Sequence, residues 1–448
     1  LGPPSAYGWG ALAEVVGGGG EAAGGREAVE SGAGGRVTVR SFRAEGIEER
    51  RFPTAAELDE AAGRGVGDGM VVVKSLDLHS VSVSSAGLRE LGIDDATPDP
   101  HAGVIERDGR GRATGVLRET AAAMLWEHAR GPGDEAVRGF VVTAVEDLKR
   151  RGIVEAHEMR ATAGLVRALG ALIAEGHGCL EGFRLRLQAT PEVYGEVRSL
   201  FEGLPENDVV LWGGLKLFTD GTVNTKSAFM LEPFADPVAG HERGLPTYTE
   251  DELVALMGAE LDRTVSRGGG EGGVACHAIG DAAVRRVLDA YDRLVCERGG
   301  EVGHGWLRVE HAQFVDEADV PRFFRGRGGG VRVGRGEGGG AVVVSPQPCH
   351  LLPDMEPIER LLSHRKDRCL PLREVLFAAE DAGFDPSVAV VLGSDAPVVE
   401  PEPADNVQAA VHRRRVGMDE SRAIGAGQAL SEGEVWSLHV PGDGRGWL

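Results

Sequence analysis

The chain has 448 residues, 42% hydrophobic and 26% charged, which suits one large α/β barrel or two or three ordinary domains. Its 70 acidic side chains outnumber 48 basic ones, and the resulting net charge of −22 argues against nucleic acid or an anionic membrane as the main partner. No apolar run approaches the ~18 residues of a membrane-spanning helix, and five widely spaced cysteines favour free thiols in a reducing, cytoplasmic compartment.

The chain begins with a glycine-rich segment, residues 1–40, which has no basic and apolar stretch typical of a secretion signal. A second glycine-rich run, 326–340, is predicted to be an inserted loop, because glycine is costly inside helices and strands. Neither run contains the G-x-x-x-x-G-K-[ST] pattern of a phosphate-binding loop.

Outside these runs, short apolar segments end in polar residues and most lead into amphipathic helical patterns. They are found at 69–80, 151–159, 208–221, 272–281, 306–314 and 388–397. Apolar, β-branched runs that alternate with helices predict a parallel sheet buried on both faces. At least six such units over this length favour a (β/α)₈ barrel over a doubly wound sheet.

Four of the predicted strand ends carry groups that suit divalent-metal chemistry. They are Lys216 in "GGLKLFTDG", His277 in "ACHAIGD", His311 in "RVEHAQ" and Asp395 in "LGSDAP". Neutral imidazoles bind zinc well, and a carboxylate can serve both as a ligand and as a general base for water. A single histidine at a strand end is more often a packed or hydrogen-bonded residue, so the prediction of a metal site depends on the ordered set.

The motifs together resemble the YtcJ-like branch of the amidohydrolase superfamily, which includes N-substituted formamide deformylases. The matching blocks appear in the family's order over roughly residues 40–430, and they include "RFPTAAELDEAA", "DLHSVSVSSAGLRELGI", "GVLRETA", "KLFTDG", "HAIGD", "EHAQ", "SPQPCHLLPD" and "GSDAPV".

The resemblance implies a metal-dependent (β/α)₈ barrel with a small β-sandwich built from the two chain ends. It further implies that His277 and His311 bind a divalent metal, and that Asp395 is both a ligand and the group that moves protons. Zinc is the expected metal, with one or two ions in the site. Lys216 occupies the position where superfamily members can carry a carboxylated lysine between two metals; a salt bridge to Asp220 or Asp395 is the alternative.

Three further residues are candidates for substrate binding: His79, Arg118 and His350. The alternative for His79 is an exposed loop histidine without a role in binding, and the alternative for Arg118 is a structural ion pair with Glu119. Asp281 is expected to cap the helix that it begins or to orient His277.

The chain also departs from the family. The superfamily's first strand ends in His-x-His, and no two histidines here are separated by a single residue. We therefore expect the first strand and the β-sandwich to be missing or incomplete, with a divergent segment over 1–40, the barrel domain over 41–430 and a truncated tail over 431–448.

The sequence thus predicts a hydrolase that acts on carbon–nitrogen bonds other than peptide bonds, in a small amide or formamide-like substrate, through a metal-activated water. The alternative is an inactive protein or binding module that keeps the fold without a full metal centre. The expected partner is a small-molecule substrate, and neither nucleic acid nor a membrane is expected as a partner. The sequence does not decide whether the chain forms a homo-oligomer.

Overall fold

A computed structural model describes residues 29–32, 36–44, 49–62, 69–128, 132–238, 240–266, 272–298, 305–324 and 342–439. The glycine-rich run 326–340, most of the segment 1–40 and the end of the tail lie outside these residues. The chain divides into two compact units, which are treated separately. Unit 1 comprises Leu1–Arg130, Gly221–Thr247 and Glu356–Ser363, and unit 2 comprises Gly131–Asp220, Tyr248–Met355 and His364–Leu448.

Unit 1 contains a six-stranded mixed sheet in the order β1-β2-β3-β4-β6-β5. The strands are β1 Val29–Gly32, β2 Arg36–Phe42, β3 Val71–Ser75, β4 Ser80–Val83, β5 Gly103–Arg107 and β6 Ala113–Glu119. The helices are α1 Ala55–Ala62, α2 Ser85–Glu90 and α3 Thr120–His128.

Both faces of this sheet are covered, as the sequence of β3 shows. Val71 and Val73 join one apolar cluster and Val72 joins another, as expected when successive side chains of a strand alternate between faces. Leu58 of α1 belongs to the first cluster and Leu125 of α3 to the second. A run of valines therefore forms a strand buried on both sides.

Unit 2 contains a parallel sheet in the order β12-β11-β10-β9-β8-β7. Its strands are β7 Glu155–Glu158, β8 Arg184–Ala189, β9 Val210–Phe218, β10 Val274–Ala278, β11 Leu307–His311 and β12 Val343–Ser345. A parallel bridge between Val344 and Val390 adds a seventh position beside β12.

The helices of unit 2 follow the strands in the alternation expected of an α/β fold. They are α4 Asp134–Arg150, α5 Ala163–Ala174, α6 Tyr194–Glu202, α7 Glu250–Ser266, α8 Asp281–Glu297, α9 Leu351–Leu361 (which continues into unit 1), α10 Leu372–Asp381, α11 Pro386–Ala389, α12 Pro403–Val407 and α13 Glu432–Ser437. Leu169, Leu187 and Trp212 lie in the apolar layer that joins α4–α6 to the sheet.

One contact shows that the parallel sheet curls. Nη1 of Arg308 on β11 lies 2.6 Å from Nδ1 of His157 on β7, although the two strands are four places apart in the sheet. In a flat sheet those strands would be about 19 Å apart, too far for the two side chains to meet. The predicted α/β class with a parallel sheet is confirmed, whereas closure into an eight-stranded barrel and the domain bounds stay predictions.

Candidate metal centre

The inner face of the unit 2 sheet is polar where the strands end. The register pairs His277 with Phe218 of β9 and with Glu310 of β11, and it pairs Ala275 with Lys216. Paired residues in a parallel sheet share a face, so Lys216, His277 and Glu310 point to the same side. Barrel interiors are usually filled by bulky branched apolar side chains. A charged interior therefore indicates a functional site.

His311 reaches this face through an unusual backbone conformation. It directly follows Glu310, and strict alternation would turn its side chain to the opposite face. Instead, His311 has φ 69° and Ala312 has φ 41°, a left-handed conformation that non-glycine residues rarely adopt. The His311 ring centroid lies 4.4 Å from that of His277. Such backbone strain is concentrated at functional sites.

His311, His350 and Asp395 form the cluster best suited to hold a metal ion. Each offers one ligand atom, and these atoms all lie within 4.8 Å of one another. His350 comes from a 3₁₀ turn, Pro348–His350, which begins three residues after the end of β12. Asp395 also has a left-handed backbone, with φ 56°. Two imidazoles and a carboxylate fit a divalent transition metal, and the donor set does not decide between zinc and its neighbours.

The surroundings of His350 support this role. Its Nε2 lies 3.1 Å from the main-chain oxygen of Ser394 and 4.0 Å from Oδ2 of Asp395. A carbonyl oxygen can only accept a hydrogen bond, so Nε2 carries the proton and Nδ1 is the ring nitrogen left to bind an ion; such an outer partner fixes the tautomer and the ring orientation of metal-binding histidines. The sequence analysis assigned His350 to the substrate, whereas the structure brings it together with two of the predicted metal ligands.

His277 lies beside this cluster and is oriented by Asp220. Its Nε2 is 3.5 Å from Oδ1 of Asp220, and both side chains are almost completely buried. The same carboxylate accepts the main-chain N–H groups of Ile279 at 3.0 Å and Gly280 at 2.8 Å. Asp220 therefore has the orienting role that the sequence analysis considered for Asp281.

Asp281 has a different role from the one expected. The N-cap of α8 is Gly280, and Asp281 forms an ion pair with Arg365. The predicted side-chain cap at Asp281 is therefore wrong.

Lys216 is buried beneath the strand ends. Its ammonium lies 4.9 Å from the ring centroid of Phe218. Burial lowers the pKa of Lys216, while the negative charges of Glu310 and Asp395 act in the opposite direction. A buried lysine with a lowered pKa is more readily neutral, and this is the form that carboxylation needs.

His79 and Arg118 belong to unit 1, where both have partners. Nδ1 of His79 lies 2.7 Å from Oε2 of Glu119, and Arg118 pairs with Glu106 at 2.8 Å and donates to the main chain of Thr225. The structural pair expected between Arg118 and Glu119 is therefore wrong. Glu119 pairs with a histidine forty positions away, which no local pattern could reveal.

Sequence reasoning gave no role to two charged residues on the inner face. Arg308 contacts His157 and Glu310, and Glu310 is 3% exposed. The signal that could have found them is the alternation of "RVEH", which places two opposite charges on one face of a predicted buried strand.

The fold of this chain is similar to that of other solved structures. The structure is similar to that of an uncharacterized metal-dependent hydrolase from Pyrococcus horikoshii, with a TM-score of 0.60, 22% sequence identity, and coverage of 90% of this chain and 71% of that chain. At this identity the likeness concerns the fold. The fold is thus of the type found in metal-dependent hydrolases.

The family follows from the sequence comparisons. A family model described as "Amidohydrolase family" matches residues 7–330, more than half of the chain. Putative amidohydrolase YtcJ of Bacillus subtilis (strain 168) is 25% identical over 404 residues, which cover 89% of this chain and 69% of the relative. N-substituted formamide deformylase of Arthrobacter pascens is 26% identical over 423 residues, covering 90% and 70%. The chain belongs to the amidohydrolase family.

Proposed function

We propose that this protein hydrolyses carbon–nitrogen bonds other than peptide bonds, in small amides or formamide-like compounds, with a divalent metal held by His311, His350 and Asp395. The convergence of these three side chains at the strand ends carries the proposal. The relative named as a formamide deformylase supports the substrate class. Zinc is the ion we expect, and His277 and Lys216 are the further ligands that the resemblance implies.

A divalent metal in this position would polarise the carbonyl group of the substrate and lower the pKa of water. Asp395 would accept a proton from the attacking water and pass it to the leaving nitrogen when the carbon–nitrogen bond breaks. His277, fixed by Asp220, presents its imidazole beside His311.

Fewer observations support the remaining parts of the proposal. Substrate contacts by His79 and Arg118 derive from the resemblance, and a closed eight-stranded barrel agrees with the curl of the sheet. All five cysteines are free thiols, which supports a reducing, cytoplasmic location. No helix among the described residues is long and apolar enough to cross a membrane.

Metal content, measured by elemental analysis, tests the proposal. Wild-type protein grown with added zinc should carry near-stoichiometric metal, and His311→Ala and His350→Ala should each lose it. His177→Ala is the matched control, because His177 caps a 3₁₀ turn at Gly178–Leu180 and supplies no ligand to the cluster. Metal-free but folded wild-type protein would contradict the metal centre.

Turnover decides between an enzyme and an inactive member of the fold. Asp395→Asn should lower kcat for small formamides and amides about 10²–10⁴-fold, the usual contribution of a positioned acid or base. Wild-type protein that binds metal but hydrolyses none of a panel of such compounds would favour the inactive alternative. Equal activity in Asp395→Asn and wild type would contradict the role given to Asp395.

A further inference from the structure

Glu310 stands directly before a candidate metal ligand, and its carboxylate is enclosed by protein groups. It is 3% exposed, and Nε of Arg308 lies 2.5 Å from its Oε1. The surroundings of this carboxylate are therefore protein groups and not solvent.

Arg308, which forms an ion pair with this carboxylate, is itself held by side chains of neighbouring strands. Its guanidinium lies 2.6 Å from Nδ1 of His157 on β7 and 2.9 Å from Oγ of Ser345 on β12, in addition to its pairing with Glu310. Because the partners come from three strands of one curled sheet, Arg308 has little freedom to move. A planar guanidinium with fixed donors orients a carboxylate more strictly than a lysine would.

The other oxygen of Glu310 contacts the segment that carries His350. Nε2 of Gln347 lies 3.3 Å from Oε2 of Glu310, and the main-chain oxygen of Gln347 accepts the N–H of His350 at 3.0 Å. Gln347 is also the N-cap residue of the turn Pro348–His350. A short chain of contacts thus connects Glu310 to His350, while the peptide bond connects it to His311.

We propose that Glu310 is a positioning residue of the candidate metal centre, which fixes His311 at the end of β11 and the turn of His350 relative to each other. This inference rests on the proposed function for its metal, but the positioning itself is a property of the metal-free protein. Glu310 does not touch the candidate ion in this assignment; it acts through the two histidines.

The test compares Glu310→Gln with Glu260→Gln in the full chain. Glu260 is an equally buried carboxylate of unit 2, 1% exposed, and it lies on α7 and accepts a hydrogen bond from Tyr194. Both substitutions neutralise a buried, paired carboxylate, so both should lower stability. Only Glu310→Gln should weaken Zn²⁺ binding, about 10–100-fold, the usual effect of losing an outer partner of a ligand.

A second measurement does not depend on the metal. Imidazole ¹⁵N signals of histidine-labelled, metal-free protein, assigned by His311→Gln and His350→Gln, should shift for both residues in Glu310→Gln and stay unchanged in Glu260→Gln. Gln347→Met, which removes the amide donor to Glu310 and to the main-chain oxygen of Ser345, should shift the His350 signal and weaken Zn²⁺ binding. An unchanged His350 signal in this variant would also overturn the proposed connection, even if Glu310→Gln does not fold.

The outcomes separate the two claims. Unchanged His311 and His350 signals in Glu310→Gln would overturn the positioning role, as would equal effects of Glu310→Gln and Glu260→Gln on Zn²⁺ affinity. Wild-type protein that binds no Zn²⁺ would overturn the proposed metal centre, and the imidazole signals would still decide the role of Glu310.

Discussion

At the scale of single residues, His157 illustrates how the charged interior of unit 2 determines protonation. Its imidazole is buried against the Arg308 guanidinium, 2.6 Å away. Burial, followed by the positive charge of Arg308, lowers the pKa of His157 to about 4. The histidine is therefore neutral in the folded protein at any pH near 7.

This shift makes the stability of unit 2 depend on pH. In the unfolded chain His157 binds a proton near pH 6.5, and in the folded protein only near 4. Between these values the unfolded state holds more protons, so the free energy of unfolding falls as the pH falls. The free energy of unfolding that is lost through the titration of His157 should reach about 3 kcal/mol by pH 4, at 1.36 kcal/mol per pKa unit.

His157→Gln should remove this component while keeping a polar side chain beside Arg308. The free energy of unfolding, measured with urea at pH 7.0, 5.5 and 4.5, should fall in wild type relative to the variant as the pH falls, because titrations common to both cancel. A difference that stays constant over this range would show that His157 is not buried in its neutral form.

The residues also show which parts of the site a sequence can predict. Strand alternation places His277 and Lys216 on one face, and the register agrees. The inward turn of His311 depends on a left-handed backbone at a non-glycine residue, which no local propensity indicates. His350 joins the cluster because a 3₁₀ turn forms shortly after a three-residue strand. Such short elements have little periodicity from which to predict them.

At the scale of elements, the loop after β9 shows how a missing side chain makes room for a polar network. Glu119, at the end of β6, has φ 53° and hydrogen-bonds to His79 and to Ser227. A Cβ added to Gly221 would collide with Oε1 of Glu119 and with Oγ of Ser227. Both groups are held by hydrogen bonds and cannot move freely.

Gly221→Ala should therefore destabilise unit 1 by about 1–3 kcal/mol, the usual cost of overpacking a filled site. Gly195→Ala is the matched control, since an added Cβ on Gly195 in α6 meets nothing within 4 Å, and alanine in a helix should raise stability by up to about 1 kcal/mol. Chemical denaturation of both variants measures the two effects. Equal stability of Gly221→Ala and wild type would mean that the Glu119 network readily rearranges.

Elements differ in how well their sequences predict them. The valine run of β3 and the helical period of α8 are strong local signals, and both elements form, but β3 lies in the mixed sheet of unit 1 and not in the parallel sheet that the sequence predicted for it. The six-stranded sheet of unit 1 was not predicted, because its strands join through antiparallel pairs and one parallel pair between β2 and β3. Long-range pairing of this kind follows from tertiary packing and not from local pattern.

At the scale of the whole molecule, the candidate ligands are unevenly distributed. His311, His350 and Asp395 all belong to unit 2, and they lie far apart in the chain but together at the carboxyl edge of one sheet. An ion that binds only when β11, the turn after β12 and the segment near Asp395 are assembled favours the folded state. The stabilisation is RT ln(1 + [L]/Kd), about 2.7 kcal/mol at one hundred times Kd.

Hydrogen exchange with and without Zn²⁺ tests this linkage. Some amides of β10 and β11 exchange only when unit 2 unfolds. At a Zn²⁺ concentration of about one hundred times Kd their exchange should slow about 100-fold, since 1.4 kcal/mol corresponds to a factor of ten. The same amides in His311→Ala should show no slowing. Slowing that persists to the same extent in His311→Ala would contradict the assignment of His311 as a ligand of the ion.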